Sequence, residues 1–342
     1  MFLRALCVSA VNRRRPCDDR RVKLRVAIVY GGRSGEHEVS IRSAESIIAA
    51  MDPEKYKILH FVISPEGRWR PRPIIPEPGG NPEIDVVFPV LHGTFGEDGT
   101  MQGLLELADL PYVGAGVLAS AVSMDKEVAK RLFQERGLPV VDYTTVYKSL
   151  PEIPDAPYPV FVKPANLGSS VGISKARDPA ELKAAIALAA QYDTKVIVER
   201  AIVGKELECS VLGNEDPVAS MPCEVLPSQE FYDYDDKYVL DKAQFKLPAE
   251  IGQEKTGELR RLAVAAYRAV ECSGMARVDF LLEAATGRLY INEINTIPGF
   301  TSISMFPKMW EHSGLPYPKL IDRLIDLAIE RHELRKQIRY TR

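Results

Sequence analysis

Cysteine is scarce in this sequence and has no regular spacing. The 342 residues include five cysteines, and no two of them stand at C-x-x-C spacing. An odd number without that spacing argues against a disulfide framework or a zinc site, and it fits a reduced, cytoplasmic setting. The five are Cys7, Cys17, Cys209, Cys223 and Cys272.

Long apolar runs and an excess of one charge are also missing. No stretch approaches the roughly 18 consecutive apolar residues of a membrane-spanning helix, so we expect no membrane partner. The formal net charge is −3, which gives no reason to expect nucleic acid as a partner. A nucleotide or another small anion stays open, because such a ligand needs only local positive charge.

Two common nucleotide-binding motifs are absent as well. The chain has no G-x-x-x-x-G-K-[ST] phosphate loop. The glycine-rich turn at 31–35 does not match G-x-G-x-x-G, and the second predicted strand ends in Ser64-Pro65 instead of an acidic residue. Dinucleotide binding is therefore not expected. The turn follows a strand and opens a helix, so it suits an anion, while Glu36 beside it suits an ammonium group or a helix cap.

The apolar pattern predicts alternating strands and helices in the first third of the chain. Three runs are typical of buried strands: 26–30, 58–63 and 85–91. Helical spacing follows the first run, and a short helix is predicted after the third, at 102–108. This alternation predicts a parallel α/β sheet.

The rest of the chain predicts a mixed pattern of helices and partly antiparallel strands. The predicted helices are 126–135, 181–191, 253–270 and 319–329. The predicted strands are 160–163, 196–199, 206–212, 219–225, 276–282 and 289–293. Residues 1–23 are predicted to be a disordered extension or a misassigned start, since their arginines follow the apolar run instead of preceding it. The basic tail 331–342 is expected to fray.

Three oxygen-bearing side chains are predicted to meet near the end of the chain. Glu293 and Asn295 stand two residues apart on one predicted strand, and such residues share a face. A hairpin would bring Asp279 of the preceding strand beside them, with Arg277 as the cation of that face. Hard oxygen ligands at an open site suit Mg²⁺ bridging phosphates. An exposed hairpin with ordinary acids is the alternative.

Two loops offer weaker signals. Lys163 ends a strand and precedes a glycine- and serine-rich turn that can cradle phosphate, although a plain strand-to-helix turn fits equally well. His92 opens a glycine-studded loop at 92–100, after the third predicted strand, where α/β proteins bind ligands. A structural role for His92 fits as well as a role in binding.

Taken together, seven stretches resemble the D-alanine–D-alanine ligases of the ATP-grasp superfamily, over roughly residues 24–330. The stretches are GGRSGEHEVS (31–40), LHGTFGEDGTMQG (91–103), MDK (124–126), VKPANLGSSVGIS (162–174), FYDYDDKY (231–238), GMARVDF (274–280) and NEINTIPGFTSISMFP (292–307). The resemblance implies a three-domain α/β ligase with an N-terminal Rossmann-like sheet. Its domains would be 24–117 for substrate binding, 118–205 as the central ATP-grasp part and 206–330 as the catalytic ATP-grasp part.

The resemblance also implies the residues that bind ATP and metal. The implied nucleotide-binding residues are Lys126, Lys163, Ser170, Glu199 and Glu206. The implied ligands of two Mg²⁺ or Mn²⁺ ions are Asp279, Glu293 and Asn295, which agrees with the strand argument.

The implied reaction has two steps. The carboxylate of one D-alanine attacks the γ-phosphate of ATP, and the amine of a second D-alanine then attacks the acylphosphate. Arg277 and the backbone of Gly299 would form the oxyanion hole. The stretch 231–238 would close over the site and keep water out.

The remaining implied residues hold the two substrates. Glu36 would bind the first ammonium group, and Ser169 and Tyr238 would link Glu36 to the closing loop. Ser304, the Met305 backbone and Lys237 would bind the second carboxylate. The implied substrate-binding residues also include His92. A tyrosine at 238 favours a dipeptide over a D-alanyl-D-lactate product.

Two other functions compete with this one. A different ATP-grasp ligase would share the lysines and metal ligands but lack the EHEVS and KY elements. A noncatalytic nucleotide-binding regulator would be expected to lose Arg277, Glu293 or Asn295, and all three are present. The family also implies a homodimer, a cytoplasmic location and a role in making peptidoglycan precursors.

Overall fold

The computed structural model describes residues 23–149, 153–168, 171–226 and 244–341. Within these ranges the strands form three sheets. The predicted extension and the residues Ser169, Ser170, Lys237 and Tyr238 lie outside the described residues. None of the described helices combines the length and the apolar character needed to cross a bilayer.

The first sheet is the predicted parallel one. Its strands are β1 (Leu24–Gly31), β2 (Tyr56–Ile63), β3 (Trp69–Arg70) and β4 (Val86–Val90), in the order β3-β2-β1-β4. Both β2 and β4 run parallel to β1, and only the short β3 is antiparallel. Residues 26–29 inside β1 are fully buried. They are buried because helices α1 (His37–Ala50) and α2 (Thr100–Leu107) pack against this sheet. The predicted α/β class is confirmed.

The second sheet has four described strands and one covered face. Its strands are β5 (Tyr143–Tyr147), β6 (Val160–Pro164), β7 (Ser174–Ala176) and β8 (Lys195–Arg200), in the order β5-β8-β6-β7. Val160 and Val162 pack with helix α5 (Pro179–Ala189). Side chains alternate along a strand, so Phe161 and Lys163 lie on the opposite, open face.

The third sheet is antiparallel and carries the predicted hairpin. Its strands are β9 (Gly204–Leu212), β10 (Val218–Ala219), β11 (Cys223–Leu226), β12 (Gln244–Lys246), β13 (Met275–Glu283) and β14 (Leu289–Asn295). Three helices pack against it: α3 (Val117–Met124), α4 (Lys126–Glu135) and α6 (Gln253–Ala269). Strand β5 and helix α3 were not predicted from sequence.

The last two helices bring the chain back to the first sheet. Helix α7 (Met305–His312) is followed by α8 (Tyr317–Arg335). Leu320, Ile321 and Leu324 of α8 share a core with Val26, Ile28 and other residues of the first sheet. The predicted fraying from residue 331 is wrong for the first five residues, since α8 continues to Arg335 and its polar residues there have partners.

Arg331 shows why α8 extends so far. Its Nη1 donates to Ser273 Oγ over 2.7 Å and to Gly114 O, and its Nη2 donates to Tyr112 O over 2.9 Å. The guanidinium also stacks 4.3 Å from the centre of the Tyr112 ring. One side chain therefore ties α8 to the ends of the first and third sheets.

We expect Arg331→Met to lower the free energy of unfolding by about 2–4 kcal/mol, because the buried acceptors lose their donor. Arg323→Met on the same helix is the matched control. The Arg323 side chain is 48% exposed, and its Nη2 lies 4.0 Å from Glu330 Oε2, a long distance for an ion pair. Its loss should therefore cost about 0.5 kcal/mol or less. Urea denaturation of the two variants makes the comparison, and equal losses would contradict the anchoring role of Arg331.

Candidate active site

The glycine-rich turn after β1 meets the loop after β4. Ser34 Oγ donates to His92 O over 2.6 Å, and Glu36 N donates to Ser34 Oγ over 3.2 Å. A Cβ placed on Gly93 would lie 2.8 Å from Glu36 Oε2, and one on Gly168 would lie 3.6 Å away. The Glu36 carboxylate therefore lies where the first sheet's loops meet the glycine-rich turn after β6. A larger residue than glycine at position 93 would crowd it.

His92 is buried at this junction and has partners on three segments. Its Nε2 lies 3.2 Å from Ser43 Oγ on α1, and its Nδ1 lies 3.0 Å from Ile297 O and 3.4 Å from Glu97 Oε1. Burial alone would lower the pKa of His92, but Glu97 and Glu36 raise it overall. His92 thus connects the first sheet to the segment after β14.

That segment also holds Gly299, Ser304 and Met305. Phe300 N donates to Ser43 Oγ over 3.3 Å, and Thr301 N donates to Ser304 Oγ over 3.0 Å. A Cβ on Gly299 would lie 2.7 Å from Ser304 Oγ, so a larger residue there would displace this hydroxyl. Ser304 immediately precedes α7, whose first residue is Met305. A helix N-terminus with a hydroxyl beside it suits a carboxylate.

A buried cluster of two lysines and one carboxylate lies on the face of the second sheet opposite α5. Glu199 is 2% exposed. Its Oε2 lies 2.6 Å from Lys163 Nζ, and its Oε1 lies 2.5 Å from Lys130 Nζ. Lys163 Nζ also donates to Asn292 Oδ1 of β14 over 3.2 Å. The second and third sheets therefore meet at Lys163.

Lys126 is the third lysine at this meeting point. Its backbone N donates to Ala165 O over 2.9 Å, and its Nζ donates to Leu167 O over 2.9 Å. The same ammonium lies 3.1 Å from Glu293 Oε2. Asp125 caps this end of α4 by accepting from the backbone N–H groups of Glu127 and Val128. The cap fixes where the helix starts and so where Lys126 lies.

The predicted hairpin brings together the residues that its sequence pattern indicated. Asp279 faces Glu293, and Arg277 faces Asn295, across β13 and β14. Arg277 Nε and Nη2 donate to the two oxygens of Asp279 over 2.7 and 2.6 Å. Glu208 of β9, which faces Asp279 on the other side, lies 3.4 Å from Arg277 Nε. Burial alone would lower the pKa of Arg277, but these carboxylates raise it well above its ordinary value.

The donors on this face fit a magnesium ion that bridges phosphates. Asp279 and Glu293 line a cleft together with Glu206 and Glu208, and Asn295 follows two residues after Glu293 on β14, opposite Arg277. Mg²⁺ is commonly held by one or two carboxylates, with substrate phosphates completing its shell. Among the described residues, no three His, Cys, Asp or Glu side chains form a metal site by themselves.

Several residues at the site escaped the sequence argument. Lys130 stands four residues after Lys126, and such residues share a helix face. Glu208 stands two residues after Glu206 on a strand, so the same spacing rule could have found it. Ser43 on α1 and Asn292 on β14 had no local signal, because only the packing of separate sheets shows their contacts.

Two family descriptions match almost the whole described chain. "D-ala D-ala ligase N-terminus" matches residues 25–77 and 75–115, and "D-ala D-ala ligase C-terminus" matches residues 132–326. A D-alanine--D-alanine ligase from Solibacter usitatus is 67% identical over 325 residues, covering 94% of this chain and 100% of that protein. One from Thermoanaerobacter sp. is 50% identical, covering 91% of this chain and 98% of that protein.

Solved structures agree with the sequence matches. The D-alanine-D-alanine ligase from Coxiella burnetii is 38% identical and superposes with a TM-score of 0.81, over 92% of this chain and 96% of that chain. The VanG D-Ala:D-Ser ligase from Enterococcus faecalis is 34% identical, also with a TM-score of 0.81, over 90% of this chain and 100% of that chain.

The three sheets and the lysine-carboxylate cleft between the last two define an ATP-grasp ligase. That class includes enzymes with several different substrates. The chain belongs to the D-alanine–D-alanine ligase family.

Proposed function

We propose that the enzyme joins two D-alanine molecules into D-alanyl-D-alanine, with ATP converted to ADP and phosphate, and so supplies peptidoglycan precursor synthesis. The observation that carries this function is the 67% identity to a D-alanine--D-alanine ligase over the full length of that protein. The geometry supports it, because a carboxylate for an ammonium group, a cluster of cations and a hydroxyl at a helix N-terminus adjoin one another.

ATP would lie between the second and third sheets. Lys126 and Lys163 meet there with Glu293 and Asn292, and Glu206 lines the same cleft. Glu199 would act through the lysine that it holds, and Ser170 completes the proposed nucleotide-binding set. Asp279, Glu293 and Asn295 would hold two Mg²⁺ or Mn²⁺ ions. Such ions neutralise the charge that develops on a transferred phosphoryl group.

The first step needs one D-alanine held with its carboxylate toward the γ-phosphate. Glu36 would bind the ammonium group, and the position of its carboxylate beside Gly93 and Gly168 supports this role. Ser169 and Tyr238 would connect Glu36 to the loop that covers the site. Lys163 and Arg277 would stabilise the negative charge on the transferred phosphoryl group.

The second step needs a second D-alanine with a free amine. Ser304 and the backbone N–H of Met305, at the N-terminus of α7, would bind its carboxylate, and Lys237 would assist. The Met305 side chain is buried with Cys223 and Met309, so only its backbone is available. His92 would hold the loop after β4 against the segment after β14, and both segments would contact substrate. Arg277 and the backbone N–H of Gly299 would stabilise the tetrahedral oxyanion.

Phosphate release from ATP tests the substrate assignment. Purified protein with MgCl₂ should release phosphate with D-alanine and not with L-alanine, and mass spectrometry should show the D-alanyl-D-alanine dipeptide. Mixtures of D-alanine with D-serine or D-lactate should still yield mainly that dipeptide. A dominant mixed product would reassign the second substrate, and release that needs another acid or amine would reject the proposed function.

We also propose a three-domain organisation, a cytoplasmic location and a homodimer. The three sheets support the division into 24–117, 118–205 and 206–330, although α3 and α4 pack on the third sheet and α8 on the first. The use of ATP supports the location. Light scattering of the purified protein would give the oligomeric state, and a monomer at assay concentration would reject the dimer.

A further inference from the structure

One fully buried lysine at the site has no part in the reaction proposed above. Lys130 is 1% exposed, and its ammonium forms an ion pair with Glu199 at 2.5 Å. The other oxygen of Glu199 lies 2.6 Å from Lys163. Lys130 therefore lies behind Glu199, on the side away from the lysine that is proposed to bind phosphate.

One carboxylate is shared between the two lysines. Burial alone would raise the pKa of Glu199, but Lys130 and Lys163 lower it to about 2, so the carboxylate is ionised. Burial alone would lower the pKa of Lys163, but Glu199 raises it overall, whereas burial lowers the pKa of Lys130 overall. The two lysines therefore compete for the two oxygens of Glu199.

Lys130 also connects two parts of the fold. Ala129 and Phe133, its neighbours on α4, pack in the core of the third sheet. The Lys130 ammonium reaches Glu199 of the second sheet and lies 5.7 Å from the centre of the Tyr143 ring. The ion pair therefore fixes the second sheet, and Lys163 with it, relative to α4 and Lys126.

We propose that Lys130 is a positioning residue for ATP binding, an inference that rests on the proposed function. By occupying one oxygen of Glu199, Lys130 prevents that carboxylate from neutralising Lys163. Without Lys130, both oxygens of Glu199 would turn to Lys163 and hold its ammonium, and the phosphates of ATP would bind less tightly.

A double-mutant cycle separates this role from simple structural support. Lys130→Met, Glu199→Gln and the double variant are compared with the parent protein by calorimetric titration of ATPγS in MgCl₂, without D-alanine. Lys130→Met should weaken binding about tenfold or more when Glu199 is present, and about threefold or less in the Glu199→Gln background, because the double variant has no carboxylate at position 199 to hold Lys163. An equal loss in both backgrounds would overturn the proposal.

Steady-state kinetics adds a readout that a purely structural role would not produce. Lys130→Met should raise the KM for ATP while kcat changes much less, and Lys130→Arg should restore the KM because it keeps the charge. A fall in kcat with an unchanged KM would overturn the proposal.

Folding and the proposed function are controlled separately. Removing one partner of a buried ion pair is destabilising, so thermal melts must show that each variant is folded. Lys130→Gln replaces Lys130→Met in the cycle if the latter does not fold, because it removes the charge that competes for Glu199 while it keeps a polar side chain. A parent protein that binds ATPγS but makes no dipeptide would reject the proposed function, whereas dipeptide formation with an uncoupled cycle would reject the role of Lys130 alone.

Discussion

Arg277→Met is expected to lower kcat about 10²–10³-fold, the loss typical of removing one donor from an oxyanion site. Arg277 is the cation that the hairpin places beside Asp279, and its charge is held in place by Asp279 on one side and Glu208 on the other. In the proposed reaction it faces negative charge in both steps. Its loss therefore affects the phosphoryl transfer and the tetrahedral intermediate together.

The control for this variant lies on the same hairpin. Arg288 is exposed at the turn between β13 and β14 and stacks on Tyr290, far along the strands from Asp279. Arg288→Met should keep kcat within about twofold, as surface substitutions usually do. Initial rates of dipeptide formation at saturating substrates give the comparison. If Arg277→Met kept a tenth or more of the parent rate, Arg277 could not be the oxyanion residue.

Lys163→Met is expected to lower kcat/KM for ATP about 10²–10³-fold. Lys163 is the cation at which the second and third sheets meet, and it is held by Glu199 and Asn292. Removing Lys163 leaves Glu199 paired with Lys130 alone, so the site loses the ammonium group that is proposed to contact the phosphates. Both the binding of the phosphates and the stabilisation of the transferred group should suffer.

Lys148 provides the matched control for Lys163. It is an exposed lysine that directly follows β5 of the same sheet, and its ammonium donates to Ala190 O. Lys148→Met should leave kcat/KM for ATP within about twofold. Initial rates at varied ATP concentration measure both variants. Similar losses for the two lysines would point to a general destabilisation of the second sheet and would contradict the proposed contact with phosphate.

The sequence predicted those parts of the fold and site that depend on local periodicity. The buried run in β1 and the alternation around Asp279, Glu293 and Asn295 each follow from the spacing of side chains on a strand. The structure confirms that the hairpin brings Asp279 and Glu293 face to face. The roles of these residues in binding metal stay predictions.

Contacts between separate sheets were beyond sequence reasoning. Strand β5 reads YTTVY, which is short and half exposed, so its apolar pattern is weak. Helix α4 has ordinary amphipathic spacing, which does not reveal that its apolar face packs on the third sheet while Lys130 reaches the second. The course of α8 back to the first sheet, and the burial of Arg331 there, likewise depend on tertiary packing. Because the sequence shows only the basic composition of 331–342 and not this packing, it predicted a solvated tail.

The transfer of oxygen from substrate to phosphate tests the proposed reaction most directly. D-Alanine with ¹⁸O in its carboxylate is incubated with ATP, MgCl₂ and the enzyme, and the phosphate is analysed by mass spectrometry. If the carboxylate attacks the γ-phosphate and the amine of the second D-alanine then displaces phosphate, each phosphate carries a single ¹⁸O atom and the dipeptide lacks that atom. Phosphate free of ¹⁸O, formed together with the dipeptide, would contradict the D-alanyl phosphate intermediate.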